Sequence, residues 1–159
     1  MNLLIGFYIV LLNEGIIYDK IILDLKRMVI YMKRHARIKA MQVLYSIDFN
    51  KITFDEAKSL VMDEENDELA LELAKNCFDR ISEIDKIISD SLERYTIDRL
   101  NLVDKAIVRL AVYEMLTGEH PAIVIDEALE ITKIYSDQGD HKAASFNNKL
   151  LDTISKKIK

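Results

Sequence analysis

The sequence predicts an all-α fold, a compact bundle of about six or seven helices. Three observations carry that expectation. Turn chemistry is scarce, with 4 Gly and 1 Pro among 159 residues, which disfavours a sandwich, a barrel or a disordered tail. From Arg34 onward apolar residues recur every third or fourth position, the period of an amphipathic helix. No strand-like alternation follows residue 32. The chain is 50% hydrophobic, and its length suits one domain with a sizeable core.

Residues 1–31 differ from the remainder. Leu3 to Leu12 is an apolar run interrupted in character only by Gly6, and Ile16 to Tyr18 and Ile21 to Leu25 add more apolar residues. The run is too short to span a bilayer, which needs about 20 apolar residues. It lacks the basic start and small-residue cleavage site of a signal peptide. Met28 and Met32 stand immediately before a basic cluster. The expectation is therefore that translation starts at Met32, leaving 1–31 as an atypical leader and 32–159 as one helical domain.

The helices follow in order. Ile38, Met41, Leu44 and Tyr45 define a first helix running from about Arg34 to near Asn50. Thr53-Phe54-Asp55-Glu56 spells a capping box, opening a short helix with Ala57, Leu60 and Val61. Ala70, Leu73, Cys77, Ile81, Ile84, Ile88 and Leu92 then keep to one helical face, as one long helix or two broken near Ser82. Asn101 is an N-cap for a helix with Val103, Ala106, Ile107, Leu110 and Tyr113 facing the core. Gly118 and Pro121 mark its end. The next helix carries Val124, Ile125, Ala128, Leu129, Thr132 and Tyr135, and Ser136 to Asp140 form a polar loop. A last helix presents Phe146, Leu150, Leu151, Ile154 and Ile158.

Charge is distributed in blocks that the net value of −5 conceals. Residues 26–42 hold Lys26, Arg27, Lys33, Arg34, Arg37 and Lys39 and no acid, a local +6. Residues 52–79 hold nine acids against Lys58 and Lys75, a local −7. Lys149, Lys156, Lys157 and Lys159 against Asp152 give the end of the chain +3. Because fields are screened within roughly 8–10 Å at physiological salt, an acidic protein of this pattern can still offer a basic surface to nucleic acid.

Catalytic equipment is missing. The four glycines are scattered singly, which excludes a phosphate-cradling loop. His35, His120 and His141 have no metal-ligand spacing, and Cys77 lies on an apolar stripe as a core residue. A single cysteine excludes an intramolecular disulfide and suits a reducing compartment. The residues describe a cytoplasmic helical adaptor, not an enzyme, with no cofactor and no metal.

Three stretches carry a family likeness. Arg34-His35-Ala36-Arg37-Ile38-Lys39-Ala40-Met41-Gln42-Val43-Leu44-Tyr45 resembles the opening helix of the NusB family of transcription antitermination factors, an Arg-rich stretch running into Ala-x-Gln-Ala-Leu-Tyr. Asp98-Arg99-Leu100 and the run Val103 to Glu114 resemble that family's central helix, with its Ile-Leu-Arg-x-x-x-Tyr-Glu core. Ile125 to Lys133 is similar to Ile-Asn-Glu-Ala-Ile-Glu-Leu-Ala-Lys. The likeness covers roughly residues 32–155. Two departures fall where Phe-Val-Asn-Gly-Val-Leu-Asp is expected: Asn147 brings an amide to an apolar position, and Lys149 replaces a glycine. Both are expected to loosen the packing of the last helix or to move a surface.

The resemblance implies an RNA-binding factor that, with ribosomal protein NusE, grips boxA-type sequences of nascent ribosomal RNA and helps RNA polymerase ignore terminators within an antitermination complex. It implies no membrane partner. Lys33, Arg34, Arg37 and Lys39 are placed before and within the first turns of the first helix, to fan outward around an N-terminus whose unpaired N–H groups also face phosphate. Arg contacts phosphate bidentately or stacks on a base. Gln42 is placed to read a base edge and Tyr45 to stack, although Tyr45 falls on the apolar side. The acidic block has two readings, a surface for a basic protein partner or a solvated face that repels RNA. Two other functions stand beside the main one. One is a helical domain related to ribosomal RNA cytosine methyltransferases, without their cofactor domain; the other is a protein–protein adaptor without RNA.

Overall fold

A computed structural model of the chain describes residues 15–63 and 65–158, with side chains from Tyr18 onward. The apolar run Leu3–Leu12 lies outside the described residues. Among the described residues seven α-helices follow one another: α1 Gly15–Asn50, α2 Phe54–Val61, α3 Glu68–Asp79, α4 Ile81–Ser89, α5 Leu102–Leu116, α6 Pro121–Tyr135 and α7 Lys142–Lys157. One 3₁₀ turn, Ile97–Arg99, precedes α5. Among the described residues there is no strand. The expected all-α bundle is the observed fold.

Local chemistry explains the boundaries. Thr53 caps α2 by accepting from the Glu56 N–H at 3.3 Å, while Glu56 accepts from the Thr53 N–H at 2.8 Å. The single stripe from Ala70 to Leu92 is two helices, broken at Arg80, whose φ of −106° and ψ of 15° leave the helical region. Asn101 caps α5, its side chain accepting from the Val103 N–H at 2.9 Å. The α5 terminus is a Schellman motif: Glu119 N–H donates to Glu114 O at 3.0 Å and Gly118 N–H to Met115 O at 3.2 Å. That turn needs φ +97° at Gly118, which L side chains rarely adopt. His120 then caps α6 and Pro121 occupies its first turn, where a missing N–H costs nothing. In the 136–140 loop, Asp137 Oδ1 accepts from the N–H groups of Gly139 and His141 at 2.9 and 3.0 Å.

The chain divides into two units, Met1–Arg34 and His35–Lys159. The second has its own core. Helix α5 is its axis, with 11 of its 15 residues buried, and it touches α3, α4, α6 and α7. Ala40, Val43 and Leu44 of α1, Ala57 of α2, Ala74 and Cys77 of α3, Ile84 and Ile88 of α4, Val124 and Ile131 of α6, and Leu151 and Ile154 of α7 close around it. Leu60 on α2 and Phe146 on α7 face outward instead, at 71% and 38% exposure.

Asn147 does not loosen the last helix. It is fully buried, and its Nδ2 donates to Asp104 Oδ1 of α5 at 3.0 Å and to Thr132 Oγ1 of α6 at 3.1 Å. The Thr132 hydroxyl in turn donates to Ala128 O at 2.8 Å. Asp104 and Thr132 thus supply partners for an amide that an apolar site would leave orphaned. Only its Oδ1 lacks one.

Candidate nucleic-acid interface

Helix α1 carries all six residues expected to meet RNA, and the structure separates them by role. The helix begins at Gly15, nineteen positions before Arg34, so Lys33 to Lys39 lie in its interior. Their N–H groups therefore point to carbonyls four residues back. This corrects the expected phosphate site at a helix N-terminus: residues 15–32 continue the helix and close it.

Arg37 does not fan outward. Its side chain is 7% exposed; Nε donates to both Glu114 carboxylate oxygens at 3.0 Å, and Nη2 lies 2.8 Å from Glu114 Oε1. Glu127 of α6 stands 3.6 Å from Nη1. The three stretches that carry the family likeness meet here, since Arg37, Glu114 and Glu127 come one from each. A second cluster sits on the other side of α5. Arg109 makes a bidentate pair with Asp85 of α4, both bonds 2.7 Å, and reaches Asp48 of α1 at 2.7 Å. Lys105 joins Asp48 at 3.3 Å. Burial works against the Arg109 charge, yet the Asp85 bonds and the charges of Asp85 and Asp48 outweigh it and hold its pKa above the ordinary value.

Lys39 also works inside the fold. Its Nζ donates to Val61 O at 2.8 Å and stands 3.7 Å from buried Asp67, whose other contacts are the Asp63 N–H at 2.8 Å and His35 at 3.7 Å. It therefore fixes the segment between α2 and α3. Lys33 is exposed and Arg34 partly so, both within the first unit. Gln42 and Tyr45 are half-buried. Tyr45 packs on the core and stacks on Phe49, with ring centroids 5.3 Å apart and planes 15° apart. Phe49 is 60% exposed, a surface aromatic that the sequence reading missed. Its signal was the spacing of Gln42, Tyr45 and Phe49, one face of a helix.

The acidic block is mostly solvent-facing, with exposed Leu60 and Leu69 among its carboxylates. Among its described carboxylates the exception is buried Asp67. Cys77 is a core residue: burial pushes its thiol up to about 12, against a smaller opposing effect of Arg109. Among the described residues no helix is long and apolar enough to cross a membrane.

A helical bundle with buried arginine–carboxylate clusters at its axis and a cationic run on its first helix belongs to the class of small all-helical domains. The particular family is defined by comparison: the NusB family model matches residues 34–156, and the chain belongs to the NusB family. It is 38% identical over 125 residues to transcription antitermination protein NusB of Listeria innocua, covering 77% of this chain and 95% of that protein. The namesake of Bacillus pumilus is 37% identical over 130 residues, covering 80% and 97%. Among solved structures, T. maritima NusB superposes with a TM-score of 0.69 at 30% identity, over 77% of this chain and 89% of that one. A chain from the complex of antitermination factors NusB and NusE with dsRNA gives 0.66 at 30% identity, over 80% and 98%.

Proposed function

We propose that this chain is an RNA-binding antitermination factor that works in the cytoplasm with a NusE ribosomal-protein partner. The pair holds a boxA-type sequence of nascent ribosomal RNA, joins the RNA polymerase antitermination complex and helps polymerase read through terminators. The observation that carries this reading is family membership across residues 34–156, together with a solved relative bound to NusE and dsRNA.

The geometry supports a division of labour on α1. Lys33 and Arg34 supply charge for phosphate, and Gln42 and Tyr45, extended by Phe49, supply an amide and an aromatic surface for bases. Arg37 and Lys39 act through the fold, by holding α1 against α5 and against the α2–α3 segment. Fluorescence anisotropy with boxA-like and scrambled RNA, with and without NusE, tests the assignment. Tighter binding of the boxA-like RNA in the presence of NusE is expected; equal affinity for both rejects it. Neutralising Lys33 or Arg34 is expected to flatten the dependence of log K on log salt by roughly 0.7 per lost phosphate contact.

A further inference from the structure

Helix α1 carries an apolar seam along residues 18–32, most of whose side chains are exposed. Tyr18, Ile22, Leu25, Val29 and Met32 succeed one another at steps of four, three, four and three, the heptad spacing of a coiled-coil seam. Tyr18, Leu25, Val29 and Met32 are 50–57% exposed. Ile22, Leu25, Val29 and Ile30, with Lys26, line a shallow groove along the helix. Ile21 and Met28 widen the seam on one flank, and Asp19, Lys26 and Lys33 border the other. The seam lies ahead of residues 34–156, so it is an addition to the family domain.

We propose that this seam is a self-association surface through which two copies of the chain pair antiparallel. The charge pattern selects both occupant and direction. In the antiparallel register, Ile22 of one copy meets Leu25 of the other and Tyr18 meets Val29, and the two-fold axis repeats each contact. That register sets Asp19 opposite Lys26 twice on the charged flank. On the other flank it sets Ile21 opposite Met28 twice, apolar against apolar. A parallel pair would instead set Ile21 against Lys26 and Met28 against Lys33, burying methylenes against ammonium groups and forming no ion pair. A lipid surface fits less well: the polar positions mix Asp19 and Asp24 with Lys20 and Arg27, and Arg27 is 3.8 Å from Asp24, where a membrane-surface helix carries a predominantly basic face.

The test is analytical ultracentrifugation of the full chain, alone and with anionic lipid vesicles, alongside the intact mass of the native protein. A concentration-dependent dimer is expected, and Leu25→Glu is expected to render it monomeric with unchanged helix content. Asp19→Lys and Lys26→Asp are each expected to raise the dimer dissociation constant about tenfold by placing like charges across the flank. Combining them restores it to within about threefold, because the swapped pair is again complementary. A monomer at every concentration overturns the proposal, whether residues 1–14 or vesicles take the seam. So does a dimer that survives Leu25→Glu, a double charge reversal without rescue, or a native mass beginning at Met32.

Discussion

Arg37 sits in a run of six cations without an acid, yet its guanidinium is engaged by Glu114 and Glu127 inside the bundle. Linear sequence shows which charges are neighbours along the chain; it does not show which carboxylates arrive from residues 77 and 90 positions later. Glu114 and Glu127 were visible only as family-like letters, and Arg109 only as part of a pattern. Their pairing needed α5 and α6 to be placed. The consequence is measurable. Arg37→Ala removes the counter-charge that engages largely buried Glu114 through both its oxygens, so urea unfolding is expected to show a loss of about 3–5 kcal/mol. Arg37→Lys keeps the charge but loses the bidentate fork and should fall between. In both variants, measured where they remain folded, the salt slope of RNA binding is expected to stay at the parent value. A flattened slope with unchanged stability would return Arg37 to the phosphate-contacting set.

At the scale of elements, the ends of helices were the most legible part of the sequence. The capping box at Thr53, the Asn101 cap and the Gly118 stop depend on chemistry confined to four or five adjacent residues, and each forms as written. The start of α1 was not legible in the same way, because the spacing of Tyr18, Ile22, Leu25, Val29 and Met32 is crowded by further apolar residues, Ile21, Leu23, Met28 and Ile30. Asn147 failed to read for a different reason: its meaning depends on Asp104 and Thr132, which are remote in sequence. These three residues tie α5, α6 and α7 together in a setting where an amide and a carboxylate need each other. Asn147→Val is expected to cost about 1–3 kcal/mol by leaving buried Asp104 without its donor. Asp104→Ala should cost a similar amount. The double variant should be less destabilised than the two losses added together, with a coupling of about 1 kcal/mol or more. Additive losses would mean that the amide is merely tolerated there.

Across the whole molecule, the two units differ in what holds them. Among the described residues every buried side chain lies at Ala36 or beyond, and the core cluster draws on all seven helices within residues 40–154. The net charge of −5 likewise sums over parts with different work: cations on α1, carboxylates exposed along α2 and α3, and buried pairs that cancel around α5. A chain beginning at Met32 removes Tyr18, Ile22, Leu25 and Val29 but no member of that core, and it keeps Lys33 and Arg34. It is therefore expected to unfold cooperatively with a thermal midpoint within about 4 °C of the full chain, roughly the shift that 1 kcal/mol makes in a domain of this size. Calorimetry at concentrations where the full chain is monomeric makes the comparison fair, since dimerisation of the native state would raise its midpoint by mass action. The same truncated chain should sediment as a monomer and bind boxA-like RNA with NusE as tightly as its parent. A broad, low transition would instead show that the bundle needs the first unit to fold. Retained dimerisation would place the self-association surface on the bundle, away from the seam.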